Sequence, residues 1–337
     1  MASSLQPWWS VSWFGWVGVQ VFFVLSGFVI AFSSKGASVA RFVRSRVLRL
    51  APALWISIPV CAIALVAWGS PIANVVWLAA KTAVLAPKGP WIAGQIWTLG
   101  IEVVFYAAIA FLLLADSFRR VQLLGWVLVG VSALYWLVVA SGTVADTAGR
   151  ITQLLLLQHG CYFAPGLAIW LISRLGATTG RLLLCALCVA TAWFQIDATL
   201  VAERPSYGLG DQPLVPFLWW LAMVLPMATS VRFNPAIVRL APKAGPTIRL
   251  LGIMTYPLYL LHYHVGGSAM IAADELGAPP AMALLAAIVS SLAAAYVSAQ
   301  WLESRAYGML RACLTALGRW SGALPPSLRR STTRLAA

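Results

Sequence analysis

Long apolar runs separated by short, arginine-rich loops leave few folds open to this chain. Nine such runs lie at about residues 16–33, 52–69, 95–115, 121–140, 151–172, 182–199, 213–231, 250–272 and 281–301. A helix needs roughly 20 apolar residues to cross the hydrocarbon core of a bilayer. Backbone amides in that core must be paired within the chain, so runs of this length fold as helices. Charged residues make up 9% of the 337 and hydrophobic residues 61%, against about 25% charged in an average soluble domain. A buried core alone does not explain that deficit, and 17 Trp add a residue type that favours membrane interfaces. The expected fold class is all-α, a polytopic transmembrane helical bundle of about nine spans. No strand pattern, internal repeat or long polar linker interrupts it.

The basic residues sort by alternate loops. Nineteen of the 23 fall on one side: Lys35 to Arg49, Arg119 and Arg120, Arg174 and Arg181, Arg232 to Arg249, and the tail from Arg305 on. Only Lys81, Lys88, Arg150 and Arg204 fall on the other, together with six of the nine acids. By the positive-inside rule the first set is cytoplasmic, and the C-terminus with it. A net charge of +14 in a soluble chain would raise nucleic acid as a partner. Here the arginines sit between spans, where they set topology, so no nucleic-acid partner is expected. The segment Met1–Gly15 has no basic n-region and does not read as a signal peptide. The five Cys form no disulfide framework, and Cys185 and Cys188, with CxxC spacing inside one apolar run, read as packing. No metal site is expected.

Several polar residues stand out. The first basic loop reads ARFVRSRVLRLAPALW, where Arg46 and Arg49 share one face if helical. A guanidinium fork suits phosphate, so this is either a site for a phosphorylated cytoplasmic cosubstrate or a contact with anionic headgroups. WTLGIEVVFYA carries Glu102 about seven residues into a span, roughly 10 Å deep. Ionisable residues at that depth face the protein interior or a water-filled cavity, and a carboxylate there needs a cation or donor nearby. LGIMTYPLYLLHYHVG places His262 about 13 residues along its span, at a depth comparable with Glu102, despite Pro257 in the helix. His262 is a candidate general base or a structural imidazole. His264 reads as an interfacial, exposed or capping residue, and His159, in LLLLQHGCYFAPG, as structural. Ser26-Gly27, mid-span in GVQVFFVLSGFVI, allows close helix approach.

Together these stretches resemble acyltransferase family 3, membrane proteins that include bacterial sugar and polysaccharide O-acetylases. GVQVFFVLSGFVI resembles the family's GVDLFFVLSGFLI, with Gln20 where an acid is common. RSRVLRLAPALW resembles RxxRxxP, IWTLGIEVVFY resembles WSLxxExxFY, and LGIMTYPLYLLH resembles LGxxSYxxYLxH. WLESR is a weak counterpart of an acid that the family follows with Pro. The resemblance implies transfer of an acetyl or other short acyl group from acetyl-CoA (acyl-CoA), a cosubstrate rather than a resident cofactor, to a hydroxyl of a glycan or glycolipid. It implies that Arg46 and Arg49 hold the coenzyme A phosphates and that Glu102 and His262 are catalytic within one cavity. Trp97, Tyr106 and Tyr256 would shape the substrate pocket. It further implies a bacterial inner-membrane location, a membrane domain over residues 1–310 and a basic cytoplasmic tail over 311–337.

One departure is plain. The family's first span carries an Arg and, further along, a His regarded as the catalytic base, and this chain starts just before the family's second helix. Three readings stay open: a truncated product or a wrongly chosen start, His262 as base, or a chain inactive by itself that serves as a partner or is a remnant. A secondary transporter is the rival from another class, since intramembrane charge and broken helices suit it too, although the two related halves common in transporters are not visible.

Overall fold

The computed structural model describes residues 13–142, 149–207 and 212–323. Twelve α-helices occur there and no strand: α1 Val17–Ser34, α2 Val39–Ala67, α3 Ile72–Ala83, α4 Trp97–Leu114, α5 Val121–Ala140, α6 Arg150–Leu154, α7 Gly160–Leu175, α8 Thr179–Tyr207, α9 Leu214–Leu240, α10 Gly245–Glu275, α11 Pro280–Val297 and α12 Glu303–Ala323. A π-helical segment, Ser298–Leu302, joins α11 to α12. Among the described residues seven segments are long and apolar enough to cross a bilayer.

Those seven correspond to seven of the nine predicted spans, and the other two differ. The run at 151–172 is not one helix. Its first turn is α6; the chain then breaks, with Leu156 at a positive φ of 60°, and restarts as the 16-residue α7. The run at 250–272 lies inside the 31-residue α10, which continues through Pro257. That helix is long enough, but its Tyr and His residues keep its hydropathy down. A third boundary moved: the span expected to start at Pro52 belongs to a helix that begins at Val39, where Ser38 Oγ caps the first turn by accepting from the Arg41 amide at 3.4 Å. Pro52 and Pro59 are accommodated within it. Arg46 and Arg49 therefore sit about two turns inside a helix rather than in a loop.

Helix α7 is the hub. Its residues from Gly160 to Ala168 are all buried, and α1, α5 and α8 pack around it. Glycine makes the α1–α7 crossing close. A Cβ at Gly166 would overlap the Val24 carbonyl and lie 2.6 Å from the Phe28 amide nitrogen, and one at Gly27 would overlap the Phe163 carbonyl. The Ser26-Gly27 pair thus does what small residues do in membranes, letting backbones touch. Cys185 and Cys188 lie in α8 as free thiols.

The apolar core falls into two main clusters. One joins α1, α4, α5, α7, α8 and α9 with Phe42 of α2; the other joins α2, α3, α4 and α10. Helix α4 feeds both, with Ile101, Phe105 and Ile109 in the first and Leu99 in the second. A polar residue on α4 is consequently walled in from two directions, and Glu102 is that residue.

Candidate functional site

Glu102 is buried, at 5% exposure. Ser26 Oγ, from α1, donates to its Oε1 at 2.9 Å. Tyr106, one turn along α4, hydrogen-bonds the same carboxylate. Each helix is there for a reason already given: Ser26 comes close because Gly27 beside it lets α1 sink onto α7. Two hydroxyl donors satisfy a carboxylate that would otherwise be costly to bury.

Helix α2 supplies the positive charge. The Arg46 guanidinium carbon sits 5.7 Å from the Phe42 ring centre and 5.8 Å from the Tyr106 ring centre. Its Nε donates to Ser45 Oγ at 3.2 Å. The Arg49 guanidinium lies 5.5 Å from the ring of Tyr256 on α10. Tyr256 is buried and donates its hydroxyl to the Leu50 carbonyl at 3.2 Å, tying α10 to α2. Both arginines lie within electrostatic reach of Glu102. Stacking a guanidinium on an aromatic face fixes it while leaving its in-plane N–H donors free for an anion. Arg46 is half-buried and Arg49 exposed.

The structure therefore brings together five of the residues singled out in the sequence: Arg46, Arg49, Glu102, Tyr106 and Tyr256. It adds others. Glu303, immediately after the π-helical segment, interacts electrostatically with Arg49 and accepts from Ser298 Oγ at 3.3 Å. Arg49 thus stands between two carboxylates. Tyr259 on α10 shares its hydroxyl with Thr98 Oγ1 at 2.7 Å and donates to the Gln95 carbonyl at 2.7 Å. Its ring stacks on Phe22 at 5.8 Å. Thr98 is one turn before Glu102 on α4, so Tyr259 couples α10 to the carboxylate's own helix.

Two of the predicted residues stand elsewhere. His262 is exposed, in a groove of about 630 Å³ between α10 and α11 whose lining includes Tyr259. Its ring centre is 6.2 Å from that of Tyr259. His262 Nδ1 faces two carbonyl oxygens, Leu258 O at 3.2 Å and Tyr259 O at 2.9 Å. A carbonyl donates nothing, so Nδ1 carries the proton of the neutral ring and Nε2 keeps a lone pair. Glu102 does not line that groove; Tyr259 stands between the two residues. Trp97 packs against Phe23 and His159, with ring centres 6.4 and 5.4 Å away.

The remaining histidines divide. His264 corrects the sequence reading. It is buried at 2% exposure and stacked on Trp68 at 5.3 Å, with Nδ1 unpartnered. The end of α2 covers the point where a bare interface was expected. His159 is buried among Phe23 and Trp97 with neither ring nitrogen partnered. Nearby, Arg150 donates to Pro87 O at 2.7 Å and Trp97 O at 2.9 Å. Partial burial pulls its guanidinium below the ordinary arginine value.

Sequence reasoning missed Ser26 as a donor and Tyr259, and it reached Glu303 only as the acid of the weak WLESR match. A signal existed for Tyr259, since it is three residues from Tyr256 and shares its helix face. Nothing local marks Ser26 as the partner of a residue 76 positions away.

A polytopic helical bundle with a hydroxyl-bonded carboxylate between two halves of its core, overlooked by two stacked arginines, defines a multi-pass membrane protein built around a buried polar centre. The chain belongs to acyltransferase family 3: the family's acyltransferase domain matches residues 2–300. Comparison with curated proteins and with solved structures gives no match.

Proposed function

We propose that this membrane acyltransferase moves an acetyl or other short acyl group from acyl-CoA to a hydroxyl of a glycan or glycolipid. In this reading the arginine-rich side, with the C-terminus, faces the cytoplasm of a bacterium and the bundle lies in its inner membrane. The coenzyme A phosphates sit on Arg46 and Arg49, whose fork geometry and partial exposure suit them. The thioester extends past Tyr256 toward Glu102. There the acceptor oxygen bonds to the acyl carbon, the C–S bond breaks, and the thiolate leaves and is protonated. The proton of the acceptor hydroxyl passes to the departing thiolate, which leaves as the free thiol of coenzyme A. Glu102 holds Ser26 and Tyr106 and balances the arginine charge, so the centre stays formed without substrate.

The observation that carries this reading is the Arg46–Arg49 pair, held over aromatic faces within electrostatic reach of a buried carboxylate in a chain of this family. The test is binding and turnover of acetyl-CoA by the purified protein. Arg46→Gln and Arg49→Gln each weaken acetyl-CoA binding about tenfold to a hundredfold, the range for a lost charged hydrogen bond. Acceptor flux across vesicles with no acetyl-CoA consumed overturns the reading in favour of transport.

A further inference from the structure

The groove between α10 and α11 has a composition the reaction above does not account for. Its walls are Leu258, Met270, Ile288 and Leu292. At about 630 Å³ it lies within the roughly 300–1,000 Å³ of small-molecule sites. It opens away from the bundle: Ile288 is 48% and Leu292 42% exposed. Both belong to a segment long and apolar enough to cross a bilayer. With that segment across a bilayer, this opening would face hydrocarbon. The inner wall is sealed where the two helices touch; a Cβ at Gly266 would come within 2.8 Å of Ser291 Oγ and 3.3 Å of the Ala287 carbonyl.

The groove's small hydroxyls are already satisfied by their own helices. Thr255 Oγ1 donates to Gly252 O at 2.7 Å and Ser291 Oγ to Ala287 O at 2.6 Å. His262 is different. With Nδ1–H committed to backbone carbonyls, Nε2 is a hydrogen-bond acceptor with no partner among the described residues. An acceptor facing hydrocarbon is complementary to a molecule that is mostly chain and carries an O–H. Tyr259 closes the other side, and its hydroxyl is bonded to Thr98, one turn from Glu102.

We infer that the α10–α11 groove is a lateral binding site for a lipid-borne alcohol, its hydrocarbon chain lying along Leu258, Met270, Ile288 and Leu292 and its hydroxyl donating to His262 Nε2. This rests on the acyl-transfer reading and narrows its acceptor to a hydroxyl that arrives within the bilayer. A free sugar has no route across hydrocarbon to this opening.

The test uses the full chain in nanodiscs without acyl-CoA, so it does not depend on the donor site. The probe is a long-chain primary alcohol with a diazirine at its far end, set against the matching alkane diazirine. The expected result is saturable labelling of α10 and α11 peptides by the alcohol, about threefold to tenfold above the alkane, the range for one hydrogen bond. Ile288→Trp and, separately, Leu292→Trp fill the groove and remove that labelling; both positions are exposed enough to accept Trp without unfolding. His262→Ala removes the preference for alcohol over alkane while leaving chain labelling. Equal labelling of all lipid-facing helices, or an alcohol preference unchanged in His262→Ala, overturns the inference. Acetyl-CoA binding to Arg49→Gln, run alongside, reports on the donor site alone, so failure of either claim is distinguishable from failure of the other.

Discussion

Gly166→Ala is the sharpest perturbation of the frame that positions Glu102. The added Cβ would lie 2.6 Å from the Phe28 amide nitrogen and 2.9 Å from the Gly27 carbonyl carbon, and it would overlap the Val24 carbonyl. Ordinary contact begins at 3.4 Å, so α1 and α7 must part by about 0.8 Å on the amide contact alone. The atoms in the way are backbone and cannot rotate aside. If α1 moves, Ser26 moves with it, and its 2.9 Å bond to Glu102 lengthens to about 3.7 Å, past the limit of a hydrogen bond. Overpacking of this kind costs about 1–3 kcal/mol, set against about 1 kcal/mol that Ala gains over Gly in a helix. Gly18→Ala is the control, because a Cβ there meets nothing within 4 Å; it should stabilise or be neutral. Unfolding followed by tryptophan fluorescence in mixed micelles should rank Gly18→Ala at or above wild type and Gly166→Ala clearly below. Folded Gly166→Ala should lose acyl transfer as Ser26→Ala does. Equal midpoints for the two glycine variants would refute the close crossing.

Glu102→Gln keeps the shape but leaves one of the two hydroxyls, Ser26 or Tyr106, without its acceptor, at a cost of about 1–3 kcal/mol. Acetyl-CoA should bind as well or more tightly, because a negative charge near the phosphates is gone, while transfer falls; isothermal titration and a turnover assay separate the two. His159→Phe exchanges two buried, unpartnered nitrogens for carbon inside an aromatic cluster, so the unfolding midpoint should hold or rise and transfer persist; loss of transfer in folded protein would make His159 a working group. At Gly100 a Cβ would collide with Arg150 Nη2. Gly100→Ala should therefore lower the unfolding midpoint much as Arg150→Ala does, and the double variant should be no worse than either, since both break the same bonds to Pro87 and Trp97.

Hydropathy made the bundle legible, because lipid imposes one rule on every backbone amide it surrounds. It was silent where protein replaces lipid. Helix α7 needs no full span, being covered by α1, α5 and α8, and the chain ahead of it breaks to bring Gln158 and His159 inside. The start of α2 was misplaced because Pro52 resembles a helix start, whereas Ser38 is the cap. Within the site, Arg46 and Arg49 as a pair and Glu102 could be picked out because each is odd for its place or spaced for a shared face, whereas Tyr106 and Tyr256 came only through the resemblance to the family's motifs. Ser26 could not, since its role exists only through a contact between helices distant in sequence, whereas the spacing of Tyr259 from Tyr256 left a signal unread and Glu303 stood in a weak motif. The depth argument set Glu102 and His262 at similar heights but carried no azimuth; the structure turns one into the core and the other into an exposed groove between α10 and α11.

The claim that Arg46 and Arg49 present an acyl donor to a centre built on Glu102 is tested most directly by following labelled acetyl from acetyl-CoA in nanodiscs supplied with bacterial lipid extract. The account predicts label in a base-labile ester on a lipid or glycan, strongly reduced in Arg49→Gln and in Glu102→Gln, with only Arg49→Gln weakening donor binding. Acetyl-CoA that is neither bound nor consumed, or an ester formed equally well by both variants, would contradict it.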